Sequence, residues 1–158
     1  PMGVNTVDIL SAADMAEAVK SRADGQDIII KAAAVADYRP KYTADEKIKK
    51  KDDDMSIKLE RTEDILGFLG AHKKEGQFLC GFSMETENME ENSRQKLQKK
   101  NLDLIVANNL KQAGAGFGTD TNVVTLISKE ASIQLPIMSK EEVAERLLGH
   151  ILDSMGIL

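Results

Sequence analysis

The run from Asp27 to Ala36 is apolar almost throughout and has the length of a strand. Strands that alternate have one wet face. A run without alternation fits a strand buried on both faces, as in a parallel sheet. Pro40 ends the pattern, because proline cannot donate to a sheet ladder. The junction is abrupt: the small residues of 32–36 run into Asp37, Tyr38, Arg39 and Pro40, and Lys47-Ile48-Lys49-Lys50 follows soon after. Small residues let a flat ligand approach a strand end closely, while an acid and lysines can handle a metal and phosphates. Open α/β sheets bind ligands beyond the carboxyl ends of their strands, so this junction is a candidate nucleotide site.

The remaining chain alternates strand and helix signals. Thr6 to Leu10 reads as a short strand. Ser11 with Asp14 three residues on is an N-cap signature, with Met15 and Val19 on one helix face and Gly25 as a stop. Residues 41–54 are polar and without period, a loop or flap. Met55 to Glu60 alternates like a half-exposed strand, and Thr62 can cap a short helix carrying Ile65, Leu66, Phe68 and Leu69. Gln77 to Ser83 is another buried strand, Asn88 with Glu91 opens a helix running to about Lys100, and Leu102 to Ala107 is a further strand. A glycine-rich loop spans Lys111 to Asp120. Val123 to Ile127 and Ala131 to Leu135 form a hairpin. Ser139 with Glu142 opens a last helix whose apolar face is Val143, Leu147, Leu148, Ile151 and Leu152. The expected fold is α/β: a Rossmann-like, mostly parallel sheet with helices on both faces and an antiparallel hairpin addition.

The length of 158 residues favours one domain, and the net charge of −5 argues against a nucleic-acid partner. No apolar run reaches the length of a membrane span, and the N-terminus carries no signal-peptide pattern. A single cysteine, Cys80, excludes an internal disulfide and suits a reducing cytoplasm, the expected location. Cys80 lies in an apolar strand beside Phe82 and reads as a structural thiol rather than a nucleophile. His72 and His150 have no ligand spacing and no assigned role.

Each candidate has a plain competitor. Asp37 could be a turn cap, or an ion-pair partner of Arg39. Lys47, Lys49, Lys50 and Lys51 sit among Asp45, Glu46, Asp52, Asp53 and Asp54, so the segment is no general basic patch. One lysine steered into a site would still matter, since lysine serves phosphate as a compact point charge. Lys96 and Lys100 share a helical face, which makes a triphosphate clamp possible. Gly114 to Thr119 is not a dinucleotide fingerprint, because its sixth position is Thr119 and a strand follows. A nicotinamide oxidoreductase is disfavoured on that ground.

Taken in order, Ala33 to Pro40, Lys47 to Lys50, Gly81-Phe82-Ser83-Met84-Glu85-Thr86-Glu87-Asn88, Arg94-Gln95-Lys96, Lys100 to Asn108 and Gly114 to Asp120 closely resemble phosphopantothenoylcysteine synthetase. In bacteria this is the C-terminal half of a bifunctional coenzyme A biosynthesis protein. The resemblance covers nearly the whole chain. It implies a cytoplasmic, homodimeric ligase that joins phosphopantothenate to L-cysteine using CTP and Mg²⁺. The substrate carboxylate attacks the α-phosphate and releases pyrophosphate. Cysteine's amine then displaces CMP from the acyl-cytidylate.

By the same resemblance, Lys31, Ala32 and Ala33 line the nucleotide through backbone groups, and Asp37 contacts the nucleotide or its metal. Lys47 is the flap lysine that stabilises activation and is the catalytic candidate. Glu63, Asp64, Ile65 and Leu66 form another nucleotide-contacting stretch, although the family's Asn-Pro-Asp-Ile reads Thr62-Glu63-Asp64-Ile65 here. Phe82 packs on the base, and Lys96 and Lys100 hold phosphates. The family's opening strand, glycine-rich turn and helix have no match, so residues 1–158 are expected to be a partial CTP-binding synthetase domain, inactive alone. Its expected partner is the missing N-terminal segment or the fused decarboxylase domain. The alternative is a non-catalytic nucleotide-binding or regulatory α/β module.

Overall fold

A computed structural model describes residues 2–49, 54–85, 87–109 and 120–158, Asn109 by its backbone only. Lys50, Lys51, Thr86 and the glycine-rich residues 114–119 lie outside the described residues. In chain order the elements are α1 (Ala12–Ala23), β1 (Ile28–Lys31), β2 (Tyr38–Pro40), β3 (Leu59–Arg61), α2 (Ile65–Ala71), β4 (Phe78–Glu85), α3 (Met89–Lys99), β5 (Leu104–Asn109), β6 (Thr121–Asn122), β7 (Val124–Ile127), β8 (Ser132–Gln134), β9 (Met138–Ser139) and α4 (Lys140–Ser154).

Five strands form one sheet in the order β1-β4-β5-β7-β8. β1, β4 and β5 run parallel, whereas β7 and β8 add antiparallel. Two antiparallel ribbons, β2/β3 and β6/β9, stand outside this sheet. Pleat alternation divides the core. Leu79, Ile105, Ala107 and Ile127 pack with Ala16 of α1, with Ile65, Leu66 and Leu69 on α2, and with Leu97 of α3. Cys80, Leu104, Val106, Val124 and Leu126 face the other way, onto Val143, Leu147 and Ile151 of α4. Full burial of each such aliphatic side chain contributes about 1.5–3 kcal/mol, enough to fix α4 from three anchors. The α/β class, helices on both faces and the late hairpin agree with the expectation from sequence.

Local chemistry sets two helix starts as expected. Ser11 Oγ accepts the Asp14 N–H at 3.2 Å while Asp14 Oδ2 accepts the Ser11 N–H at 2.9 Å. Ser139 and Glu142 repeat that reciprocal box at α4.

Elsewhere the structure corrects the pattern. Residues Thr6 to Leu10 form no strand, because no neighbour among the described residues pairs with them. β1 stops at Lys31 and, among the described residues, is an edge strand laddered only to β4, and Ile30 is 37% exposed, so the strand is not buried on both faces. Residues 32–36 leave the sheet: the Ala33 carbonyl accepts both the Lys31 ammonium at 2.9 Å and the Val35 N–H at 3.2 Å. Of the alternating 55–60 stretch, β3 takes in Leu59 and Glu60, with Arg61 opposite Tyr38, and the Lys58 carbonyl accepts the Lys41 N–H at 2.9 Å just before it. The α2 cap is Asp64, not Thr62, since Asp64 Oδ1 accepts the Gly67 N–H at 3.0 Å. Asn88 adopts φ 47° and makes no side-chain cap bond, and Glu91 instead accepts from Gln95. Asparagine tolerates this left-handed backbone, which turns its side chain out of capping range. Leu148 is half exposed rather than part of the buried face of α4.

Candidate functional site

Because β1, β4 and β5 are parallel, their carboxyl ends share one side of the sheet. A cavity of about 410 Å³ opens there. Lys31 from the end of β1, Asp37 from the entry to β2, Phe82 from β4, and Lys96 and Lys100 from α3 all line it. The floor is Glu63, Asp64, Ile65 and Leu66 at the start of α2. These nine residues were all expected at the site from sequence, and one cavity brings them together.

Three expected residues are elsewhere. Ala32 and Ala33 are exposed and do not line the cavity, although the Ala33 carbonyl holds the Lys31 ammonium. Lys47 is exposed in the segment between β2 and β3 and does not line it either. Val35, Ala36 and Tyr38, part of the junction read as a candidate nucleotide site, also line the cavity, and so do Arg61 and Thr62, which were not singled out for it. Arg61 is brought there by the β2/β3 register, which opposes it to Tyr38 and which the sequence does not display.

Two glycines allow the walls to close. A Cβ on Gly70 would overlap the Lys100 carbonyl, so α2 and the end of α3 meet with no space between them. Asn101 Nδ2 donates to the Gly70 carbonyl at 2.9 Å and fastens the same junction. A Cβ on Gly81 would come within 2.8 Å of Leu66 Cδ2, so the Leu66 side chain of α2 lies directly on β4 there and would have to shift for any larger residue.

The charges are mostly paired. Lys100 Nζ donates to Asp64 Oδ1 at 2.9 Å, Lys96 Nζ to Glu85 Oε1 at 3.2 Å, and Lys20 Nζ to Glu63 Oε1 at 2.8 Å. Burial pushes the Asp64 carboxyl up. The Lys100 and Gly67 hydrogen bonds with the Lys100 and Lys31 charges outweigh it and hold the group below its ordinary value. Burial, then the Lys100 charge, lowers the Lys31 ammonium, against the smaller opposing pull of Asp64 and Asp37. Asp37 makes no side-chain ion pair among the described residues, while its backbone carbonyl accepts the Thr62 N–H at 2.9 Å. Thr62 Oγ1 is enclosed without a hydrogen-bond partner among them.

Cations beside an aromatic side chain, Phe82 of β4, suit a phosphorylated ligand with a flat group. No cluster of three or more His, Cys, Asp or Glu side chains forms a metal cage among the described residues. A divalent cation shared with phosphates needs only one or two carboxylates, and Asp37 supplies one. Cys80 is fully buried and its thiol is pushed up to about 12 by burial, then by the Asp103 charge, so it has no part in this chemistry. No helix among the described residues is long and apolar enough to cross a membrane.

Comparison with known proteins shows which family the chain resembles. The chain is 53% identical over 146 residues to the coenzyme A biosynthesis bifunctional protein CoaBC of Bacillus subtilis, covering 92% of this chain but 36% of that protein. A crystal structure of the C-terminal domain of such a CoaBC protein is 45% identical, with a TM-score of 0.79, covering 99% of this chain and 70% of that one. A Cab2 mutant in complex with phosphopantothenate-cysteine shares the fold at 20% identity, with a TM-score of 0.72 over 94% of this chain and 53% of that one. Residues 1–155 match the family described as the DNA/pantothenate metabolism flavoprotein C-terminal domain, and the chain belongs to that family.

Proposed function

We propose that this chain is the nucleotide-binding part of a phosphopantothenate–cysteine ligase that uses CTP. The observation that carries the proposal is the convergence of Asp37, Phe82, Lys96 and Lys100 on one cavity at the carboxyl edge of the sheet. The relatives named for coenzyme A biosynthesis support it. At the level of fold alone, so does the neighbour that holds phosphopantothenate-cysteine.

The chemistry asks little covalent work of the protein. A carboxylate becomes an acyl donor once its oxygen is bonded to a phosphate leaving group. Attack on the α-phosphate of CTP forms that bond and expels pyrophosphate. The amine of cysteine then forms the amide and releases CMP. Positioning and charge neutralisation dominate the first step. Phe82 packs on the base and Lys96 and Lys100 hold phosphate oxygens, while Asp37 would hold Mg²⁺, which would supply further neutralisation of phosphate charge. Lys47 closes from the segment between β2 and β3 when the nucleotide is bound.

A cytoplasmic, dimeric enzyme fits this reading. Tyr42 and Ile57 are large apolar residues exposed beside the β2/β3 ribbon, suited to contact with a second copy. A non-catalytic nucleotide-binding module is the competing reading, favoured by the absence of Lys47 from the residues that line the cavity. Turnover separates them. A chimera joining this chain to the preceding part of the Bacillus relative should release CMP and pyrophosphate from CTP with phosphopantothenate and cysteine. Nucleotide binding without release would support the module instead.

A further inference from the structure

The lysines of the cavity are less available than their number suggests. Lys96 is held by Glu85 and Lys100 by Asp64, each within hydrogen-bond distance. Lys31 is spent on the Ala33 carbonyl, and burial lowers its affinity for the proton. Arg61 differs. It lines the same cavity, and its guanidinium makes no hydrogen bond or ion pair among the described residues.

The ribbon explains why. Tyr38 and Arg61 are opposed in the β2/β3 register, so their side chains share one face. Arg39 and Glu60, the next pair along, share the opposite face and neutralise each other at 2.8 Å. Pleat alternation therefore separates a spent arginine from a free one. The Thr62 N–H bond to the Asp37 carbonyl ties the residue after Arg61 to the candidate metal-binding residue. Arginine keeps its charge at any working pH, and its planar fork matches two phosphate oxygens at once.

From this arrangement we infer that Arg61 captures the polyphosphate of the ligand, which lets Lys96 and Lys100 exchange Glu85 and Asp64 for phosphate oxygens. The inference deepens the nucleotide reading and rests on it for the ligand's identity, but the chemistry at Arg61 requires only the phosphates. A free cation at an open cavity acts on the encounter, so its removal should slow association and flatten the salt dependence.

Inorganic tripolyphosphate separates the two questions, because it has no base. Its affinity and association rate should be measured for the 158-residue chain and for Arg61→Gln, Arg61→Lys and Arg39→Gln, across a series of salt concentrations. The expected result is a loss of about tenfold or more for Arg61→Gln, with a shallower salt slope, since one phosphate contact is gone. Arg61→Lys should recover part of the loss, and Arg39→Gln should stay within about twofold of the parent. Arg61 is exposed, so a melting temperature equal to the parent's is expected and would separate binding from folding. Arg61→Gln binding within twofold of the parent, or no tripolyphosphate binding by the parent chain, overturns the inference. Tripolyphosphate binding that depends on Arg61, without binding of CTP, would sink the cytidine reading and leave Arg61 its role.

Discussion

Lys100 Nζ and Asp64 Oδ1 stand 2.9 Å apart, and the same carboxylate oxygen accepts the Gly67 N–H at 3.0 Å. One atom therefore caps α2 and holds a cation of the cavity. The consequence is a dependence on acid. Asp64 titrates below its ordinary value in the folded chain, so the unfolded chain binds more protons across that window. Stability from this group is complete above the ordinary carboxylate value and is lost as pH falls through the folded one. Asp64→Asn keeps a good capping side chain but cannot titrate. Melting temperature against pH should fall less steeply at the acid end for Asp64→Asn than for the parent. Parallel curves would remove Asp64 from this role.

Gly70 is where α2 meets the end of α3. A methyl group there must displace the Lys100 backbone. Gly70→Ala should cost about 1–3 kcal/mol, the range for overpacking a tight contact. Denaturant unfolding measures it, and a stability within a few tenths of the parent's would mean that the junction yields freely.

Lys31 should reveal ligand binding through protons. Burial, then Lys100, depress its affinity for a proton, and phosphate charge beside it would restore that affinity. Binding of tripolyphosphate at alkaline pH should take up protons, seen as calorimetric heats that differ among buffers. Affinity should weaken as pH rises through the Lys31 titration. Lys31→Met should abolish the uptake.

Lys47 tests chemistry rather than binding. In the chimera with the preceding part of the Bacillus relative, Lys47→Gln should lower the rate by about 10²–10³, as for loss of one charge-stabilising donor. A change under twofold would show that Lys47 has no part in activation.

Cys80 should be silent. A thiol pushed up to about 12 leaves a thiolate fraction of about 10⁻⁴ at pH 8. A thiol reagent should modify the chain only in denaturant, and rapid native labelling would contradict its place between the sheet and α4.

Where the determining contacts are local, the sequence was legible. Ser11 with Asp14 and Ser139 with Glu142 are reciprocal within one turn, and both formed as expected. Asn88 with Glu91 has the same spacing and failed, because the Asn88 backbone is left-handed. Asp27 to Ala36 reads as one strand since alanines carry no pleat signal, and only the hydrogen bonds at Ala33 reveal where the chain leaves the sheet. Nine cavity residues were legible through motifs that extend over the whole chain. Arg61 and Gly70 were not. The availability of one depends on which face of a ribbon it occupies. The need for the other depends on a carbonyl thirty residues away.

The central claim is that this cavity holds a nucleoside triphosphate, and calorimetric titration of the 158-residue chain with CTP and magnesium tests it most directly. The account predicts saturable heat at one site per chain, weakened about tenfold or more, about 1.4 kcal/mol, by Lys100→Ala. A flat titration, or one that Lys96→Ala and Lys100→Ala together leave unchanged, would contradict it.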